Sequence, residues 1–253
     1  MAKPSTEYIY GINPAFEVIR AGRRSVKEAL LNKSIRNNPR IKKLIALLGK
    51  RSIPIEWVER GRLIDLSKSR DTQGVVLKSS LYPYVSFETL ANESRLLLLD
   101  NVEDPHNVGG ILRSAEVFGF QSVLLPLKGV PDIYPSVTKV SAGATEHLQI
   151  AKELSATEYV KRLSQAGFTI VALDAKGKTD PRAMNWQTID KLLLVIGGED
   201  LGVGQYILNS AQHVVGIPLH GRINSLNASV AAAIFMFAVS NPHDPNHPNA
   251  KPQ

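Results

Sequence analysis

The sequence predicts an α/β protein built around a parallel sheet. Apolar, strand-like runs alternate with amphipathic, helix-like segments through most of the 253 residues. Three of the apolar runs end in polar or glycine-bearing loops, and two of these loops lead into predicted helices. Because parallel strands present their carboxyl ends at one edge of a sheet, these loops are expected to gather into a ligand site. The three runs cover residues 96–99, 192–196 and 214–217.

Residues 8–78 have the pattern of a smaller α/β unit. A helix is predicted to open at residues 11–14, and Ser25 is expected to cap a second helix over the residues that follow it. The arginines at positions 20, 23 and 24 are expected on the surface. Further along, residues 41–48 are periodic in apolar positions, and residues 55–58 and 75–77 are predicted strands.

The positive charge is concentrated in the N-terminal third. Residues 1–80 contain 17 Lys and Arg against 7 Asp and Glu, a difference of +10, whereas the remaining residues contain 13 against 16, a difference of −3. A basic module joined to a nearly neutral one is typical of a protein whose first part binds phosphate and whose second part performs chemistry. A basic face that serves only solubility is the alternative.

Composition excludes several classes of site and location. The chain has no cysteine, which excludes disulfides, thiolate metal sites and cysteine-based catalysis. Its six histidines show no ligand spacing, so no metal site is predicted. No apolar run is long enough to span a membrane and no charged-then-apolar leader is present, so we expect a cytoplasmic protein with no membrane association.

Two segments are predicted to lie outside the compact domains. Residues 79–94 lack a long period and contain a proline between two tyrosines, so we expect a linker with a short helix at its end. Residues 241–253 contain four prolines and no apolar anchor, and we expect them to be disordered. The larger domain is then predicted to cover residues 95–240.

The loops after the three apolar runs carry the candidate site. Serine and asparagine in the third loop suit a helix N-cap, and a cap with no further role remains an alternative. The chain has neither the glycine fingerprint of a dinucleotide-binding site nor the lysine of a P-loop. In chain order, the candidate residues are Asn107 and Arg113, then Gly197 and Glu199, then Ile217 with Ser225, Leu226 and Asn227.

In order and spacing, these segments resemble the three motifs of the SpoU (TrmH) family of RNA ribose 2′-O-methyltransferases, within the SPOUT superfamily. The resemblance implies a SPOUT domain at residues 95–240, whose parallel sheet carries a deep trefoil knot. It implies a small L30e-like α/β domain at residues 8–78 that binds the RNA substrate. It also implies S-adenosylmethionine as the methyl donor, no metal, and a homodimer. The turn at residues 72–74 is Thr-Gln-Gly, where ribosomal RNA members usually have His-Gln-Gly.

The resemblance also implies roles for the motif residues. Arg113 is expected to act on the proton of the ribose 2′-hydroxyl, either as a base or through a held phosphate, although an arginine normally stays protonated. Asn107 is expected to orient the ribose and Arg113, and Glu199 to brace the loops, with a helix cap as the alternative for Glu199. Ser225 and Asn227 are expected to fix the third loop. The cofactor is expected to lie against Gly197, Ile217 and Leu226.

The predicted function is S-adenosylmethionine-dependent 2′-O-methylation of RNA. Transfer RNA enzymes of the family generally lack the L30e-like domain, so the resemblance points to ribosomal RNA. It is greatest to bacterial enzymes that methylate a guanosine in the peptidyl-transferase region of 23S, the large-subunit ribosomal RNA. Two alternatives remain: a transfer RNA 2′-O-methyltransferase, and a catalytically inactive, RNA-binding ribosome assembly factor.

Overall fold

The computed structural model describes residues 5–240, which divide into two compact units. The first unit contains residues 5–83 and 132–147, and the second contains residues 84–131 and 148–240. The predicted α/β class with a parallel sheet is confirmed. The predicted tail at residues 241–253 lies outside the described residues.

The first unit is built on a four-stranded mixed sheet. Its strands are β1 (Thr6–Tyr10), β2 (Val26–Asn32), β3 (Ile55–Val58) and β4 (Val75–Ser80). They lie in the order β1-β4-β2-β3, with β4 antiparallel to both neighbours and β2 parallel to β3. Helices α1 (Ile12–Ala21) and α2 (Pro39–Lys50) pack on one face, and α3 (Arg60–Ser67) packs on the other. Alternate residues of β2 serve the two faces, as the strand period requires.

The prediction of a helix after Ser25 is wrong, because these residues form β2. Ala29, Leu30 and Leu31 are at most 1% exposed, and β2 lies between β4 and β3. A strand covered on both faces reads as a short apolar run, and packing overrides the helical preference of its residues. The surface placement of Arg24 is also wrong, since this residue is only 4% exposed.

Residues 132–147 interrupt the predicted 95–240 domain but belong to the first unit. The segment contains α6 (Pro135–Val140) and a short 3-10 turn, Ala144–His147. Chain order therefore does not coincide with the division into units. The second unit is interrupted after residue 131 and resumes at residue 148. The predicted domain boundaries do not include this insertion.

A buried ionic cluster joins this segment to the remainder of the first unit. The side chains of Arg24 and Glu146 are both fully buried, and Arg24 Nη2 donates to Glu146 Oε1 at 2.8 Å. Arg24 also pairs with Glu7, and its guanidinium lies 5.0 Å from the ring centroid of Tyr82. The guanidinium is thus enclosed by two carboxylates and an aromatic ring, which compensates its burial.

The Thr-Gln-Gly turn at residues 72–74 closes the start of α1. The Oε1 atom of Gln73 accepts a hydrogen bond from Ile12 N at 3.0 Å, an amide that would otherwise lack a partner in the first helical turn. Gly74 has φ +79°, and an added Cβ there would lie 2.6 Å from Ile35 Cδ1. Glycine is therefore required at this position, and the turn acts as a cap for α1.

The second unit contains a six-stranded sheet in which every strand pair is parallel. Its strands are β5 (Arg95–Asp100), β6 (Ser122–Leu124), β7 (Gln149–Ala151), β8 (Thr169–Leu173), β9 (Leu192–Gly197) and β10 (His213–Val215), in the order β10-β8-β9-β5-β6-β7. The central pair, β5 and β9, is almost wholly apolar because helices cover both faces. At the carboxyl edge, Asp100 lies opposite Gly197.

Helices α4 (Phe87–Leu90), α7 (Ala156–Gln165) and α8 (Gln205–Ser210) cover one face of this sheet. Helices α5 (Pro105–Val117) and α9 (Ala228–Val239) pack against each other. They approach closely at Gly110, where an added Cβ would lie 2.9 Å from the Cβ of Ser229. No helix among residues 5–240 is long and apolar enough to cross a membrane.

Helix α9 is apolar on nearly all sides, but this chain covers only one of its faces. Phe235 and Met236 are fully buried. On the opposite face, Val230, Ile234 and Phe237 are 47%, 41% and 68% exposed, and the ring of Phe237 contacts only Phe118 among the aromatic side chains of residues 5–240. An apolar stripe on a helix is thus left open to solvent.

Candidate functional site

The three predicted motifs meet at the carboxyl edge of the six-stranded sheet. Asn107 lies in the first turn of α5, Glu199 follows β9, and Asn227 is the N-cap of α9. Helix α5 begins where it does because Asp104 Oδ1 accepts a hydrogen bond from His106 N at 2.8 Å and proline occupies the first helical position. Each motif residue is therefore held by the end of a regular element.

Asn107, Glu199 and Asn227 form a closed hydrogen-bond network. Glu199 Oε1 accepts from Asn107 Nδ2 at 3.2 Å and from Asn227 Nδ2 at 2.6 Å. Asn227 Nδ2 also donates to Asn107 Oδ1 at 2.8 Å, and the backbone N–H of Ala228 donates to Glu199 Oε1 at 3.2 Å. One carboxylate oxygen thus ties together three loops that are distant in sequence.

Asn227 is also a helix cap, as the alternative interpretation holds. Its Oδ1 atom accepts from Ser229 N at 3.0 Å, from Val230 N at 3.3 Å and from Ser229 Oγ at 2.6 Å. Capping uses the carbonyl oxygen of this amide, while its nitrogen donates to the network. Asn227 is therefore a cap, but it is not a cap alone, because its nitrogen also joins the network.

A pocket lies beside this network, and the predicted residues Gly197, Ser225 and Leu226 line it together with Ile217. It is bounded by the ends of β8 and β9, by residues 217–226 and by the start of α9. Apolar side chains form most of its wall: Leu173, Ile196, Ile217, Leu219 and Leu226. The polar side chains that line it are those of Asp174, Glu199, Asn224 and Ser225.

Backbone forms one wall of the pocket. A Cβ added at Gly197 would lie less than 3.0 Å from backbone atoms of Gly202 and Val203, and one added at Gly198 would overlap the carbonyl oxygen of Asn101. Only glycine fits at these positions. The two glycines are therefore required by the packing of the loop itself, in addition to lining the pocket.

Arg113 lies outside the network. It is exposed on α5 and makes no hydrogen bond or ion pair with any residue between positions 5 and 240. The structure accordingly does not show Asn107 orienting Arg113. Ser225 lines the pocket, but its side chain also makes no hydrogen bond within the described part of the chain.

The sequence interpretation overlooked two carboxylates, Asp100 and Asp174. Asp100 is 6% exposed, and its Oδ2 accepts from Gly204 N at 2.8 Å, which anchors the loop that contains Glu199. Burial raises the pKa of the Asp100 carboxyl above its usual value, while the bond from Gly204 N opposes that rise. A signal was present, since each residue directly follows an apolar run of the sequence, Asp100 as the last residue of β5 and Asp174 just after β8.

Across residues 5–240, no group of three or more His, Cys, Asp or Glu side chains is arranged to hold a metal ion. The site instead combines an apolar pocket, a backbone wall and a carboxylate–amide network.

Comparison with known protein families identifies this arrangement. Residues 94–237 match the model of the SpoU rRNA Methylase family, which covers more than half of the chain and spans all three motifs. Residues 8–85 match the model described as RNA 2′-O ribose methyltransferase substrate binding. The fold and site define an RNA methyltransferase. The chain belongs to the SpoU family, as the motif resemblance predicts.

Individual relatives agree with this assignment. The chain is 30% identical over 246 residues to the putative TrmH family tRNA/rRNA methyltransferase YacO of Bacillus subtilis, covering 94% of this chain and 97% of the relative. It is similar to a crystal structure of an RNA 2′-O ribose methyltransferase, with a TM-score of 0.77, 25% identity, and coverage of 93% and 88%. An AdoMet-bound rRNA methyltransferase from Sinorhizobium meliloti shares the fold, with a TM-score of 0.75, 20% identity, and coverage of 93% and 87%.

Proposed function

We propose that this protein transfers a methyl group from S-adenosylmethionine to a ribose 2′-hydroxyl of ribosomal RNA, at a guanosine in the peptidyl-transferase region. The observation that carries the proposal is the closed Asn107–Glu199–Asn227 network beside the pocket. A set of loops held together by one carboxylate is a preorganised site, and preorganisation is the main requirement of a reaction without a covalent intermediate.

The residues of the pocket fit an adenosyl ligand. Ile217 and Leu226 offer apolar surfaces to a purine ring, and the backbone at Gly197 and Gly198 can approach a ligand closely because no side chain intervenes. When bound, S-adenosylmethionine supplies an electrophilic methyl group on its sulfonium sulfur. The AdoMet-bound relative from Sinorhizobium meliloti supports this choice of ligand.

Asn107 and Arg113 are the residues that we propose act on the RNA. The amide of Asn107 keeps one N–H and one oxygen lone pair beyond its bonds to Glu199 and Asn227, and these can hold the ribose. Arg113 is exposed and has no carboxylate partner among residues 5–240, so its positive charge is available to RNA. We propose that it acts through a phosphate or by stabilising the developing alkoxide, since arginine side chains are poor general bases.

The first unit, which we propose is L30e-like, supplies the RNA-binding surface. Helix α2 carries Arg40, Lys42, Lys43 and Lys50 and no acidic residue, and all four side chains are exposed. Elsewhere in this unit, Lys33 pairs with Glu59 and Lys78 pairs with Glu28. The basic side chains of α2 form no ion pair with any residue between positions 5 and 240, and their charge is therefore suited to phosphate.

We also propose that the second unit is knotted. The chain at residues 213–217 runs against the loop at residues 174–179, with Gly216 N donating to Thr179 O at 3.0 Å. A Cβ added at Gly177 would overlap the carbonyl carbon of Val215, and one added at Gly216 would overlap the carbonyl oxygen of Gly177. Two backbones that pass this closely are what threading of the C-terminal segment through a loop requires.

A homodimer is the third structural part of the proposal. The stripe of Val230, Ile234 and Phe237 on α9 is exposed, and so is Val117 on α5, the residue before Phe118, whose ring contacts Phe237. A second copy of this chain would cover both stripes symmetrically, which is the commonest arrangement of a homodimer. This surface does not distinguish the proposed function from its two alternatives, a transfer RNA enzyme and an inactive assembly factor, because a homodimer would cover it in each case.

The test is transfer of label from methyl-labelled S-adenosylmethionine to purified ribosomal RNA, to transfer RNA and to ribosome assembly intermediates, followed by mapping of the modified nucleotide. We expect label in ribosomal RNA at a guanosine ribose. Label in transfer RNA alone would favour the first alternative, and label in no RNA would leave only the assembly factor. The matched variant is Arg113→Ala, for which calorimetry should show unchanged cofactor binding while methyl transfer falls by about two orders of magnitude or more.

A further inference from the structure

The carboxylate of Asp174 takes no part in the Asn107–Glu199–Asn227 network. It follows β8 directly, next to the strand that ends at Gly197, and its side chain lines the pocket. Its backbone N–H donates to Val215 O at 3.0 Å, which fixes the position of the residue. The carboxylate is therefore presented at the same sheet edge as the ligand site.

Each of the two carboxylates that line the pocket has one oxygen bonded to the chain and one that is not, among residues 5–240. Glu199 Oε1 accepts from three donors, which hold this residue in the loop network. Asp174 Oδ1 accepts from Lys176 N at 2.8 Å, whereas Oδ2 accepts from no residue between positions 5 and 240. Oδ2 lies close to Gly202, another residue of the pocket lining, since a Cβ added at Gly202 would be 3.4 Å from it.

The Asp174 carboxylate favours a ligand that donates a hydrogen bond to Oδ2, the oxygen that accepts none from residues 5–240. Among residues 5–240, no lysine, arginine or histidine lines the pocket, and its remaining surface is mostly apolar side chain and backbone. A carboxylate that loses water to a ligand without gaining a donor is unfavourable. S-adenosylmethionine carries three kinds of donor, namely the hydroxyls of its ribose, the exocyclic amine of its adenine and the ammonium of its amino-acid part. The adenine is proposed to lie against Ile217 and Leu226, which leaves the ribose and the ammonium for Asp174.

We propose that Asp174 accepts hydrogen bonds from the ribose diol of the adenosyl ligand; this assignment rests on the proposed function. The ribose is uncharged, so it can approach a pocket with two carboxylates and no cation. The amino-acid part carries its own carboxylate beside the ammonium, which Asp174 and Glu199 would repel. An acidic residue that ends a strand beside a glycine-bearing strand holds ribose hydroxyls in dinucleotide-binding sheets by the same chemistry.

The experiment is calorimetric binding to the full chain of three ligands that cannot react. These are S-adenosylhomocysteine, 5′-methylthioadenosine, which lacks the amino-acid part, and the 2′,3′-dideoxy form of 5′-methylthioadenosine. Asp174→Ala is expected to weaken binding of the first two by about 10- to 100-fold, the effect of removing hydrogen bonds to a charged group. Binding of the dideoxy ligand should already be weak and should not change further in the variant.

Asp180→Asn is the matched control, because Asp180 is a nearby carboxylate that pairs with Arg182 at 2.6 Å and does not line the pocket. Its affinities should equal those of the wild type. Asp174→Asn, which keeps one acceptor and the shape of the side chain, should bind the diol ligands with intermediate affinity and melt at the wild-type temperature.

Three outcomes would overturn the assignment. If Asp174→Ala weakens the dideoxy ligand as much as the diol ligands, the residue supports the loop and does not contact the ribose. If it weakens S-adenosylhomocysteine but not 5′-methylthioadenosine, the contact is with the ammonium. If the wild type binds none of the three ligands, the proposed function fails together with the Asp174 assignment. The first two outcomes refute only the assignment.

Discussion

Removal of one carboxylate from the buried cluster tests whether residues 132–147 are held as part of the first unit. In Glu146→Gln, the fully buried guanidinium of Arg24 loses the carboxylate to which its Nε and Nη2 donate and keeps only Glu7. Breaking a buried ion pair from one side costs about 3 to 5 kcal/mol. Because Glu7 remains, we expect about 3 kcal/mol, which at about 2 to 4 °C per kcal/mol lowers the melting temperature by about 6 to 12 °C.

The assay is thermal and urea unfolding of the full chain, followed by circular dichroism and by tryptophan fluorescence. The chain has two tryptophans, Trp57 in the first unit and Trp186 in the second. A Trp186→Phe background therefore reports on the first unit alone. The matched control is Glu59→Gln, whose partner Lys33 is largely exposed, and an exposed pair contributes about 1 kcal/mol or less. Equal melting temperatures for Glu146→Gln and Glu59→Gln would refute the reasoning.

Three further substitutions test other parts of the structure. Gly177→Ala should abolish or strongly destabilise the folded chain, because the added Cβ would overlap backbone atoms. Gly61→Ala is the control: no atom lies within 4 Å of its added Cβ, and it should stabilise the chain by about 1 kcal/mol. Soluble yield and melting temperature measure both effects. Burial raises the pKa of Asp100 in the folded protein above its ordinary value of 3.8. The free energy of unfolding of the wild type should therefore fall as the pH rises from 3.8 through the raised pKa, and urea unfolding of Asp100→Asn should not show this fall. Phe237→Glu should place a charge on the exposed stripe of α9 and convert a dimer to a monomer in sedimentation velocity, and an unchanged sedimentation coefficient would contradict that interface.

The parallel sheet was predictable because its signal is local. Residues 96–99 and 192–196 are continuous apolar runs, and such runs bounded by polar loops predict strands that are buried on both faces. The same rule could not place β2, since Val26–Asn32 contains residues that favour a helix in isolation. Only its pairing with β3 and β4 decides between the two structures.

The site was predictable to a similar extent. The motif residues Asn107, Glu199 and Asn227 were identifiable from order and spacing, but their mutual hydrogen bonds depend on how the three loops pack. Asp100 and Asp174 belong to no motif. Each follows an apolar run, but the burial of Asp100 and the lack of a partner for Asp174 Oδ2 among residues 5–240 cannot be read from that position. The membership of residues 132–147 in the first unit was equally hidden, because an ion pair between residues 24 and 146 leaves no pattern in the sequence.

The insertion of residues 132–147 has a consequence for the nascent chain. A ribosome that has made residues 1–83 must add the next 64 residues, up to residue 147, before the first unit is complete. At about 5 to 20 residues per second, this takes about 3 to 13 s, during which strands β1 to β4 exist but Arg24 has no Glu146. Translation therefore cannot finish the two units one after the other. A chain stalled near residue 120 would present a first unit that is still open to chaperones and proteases.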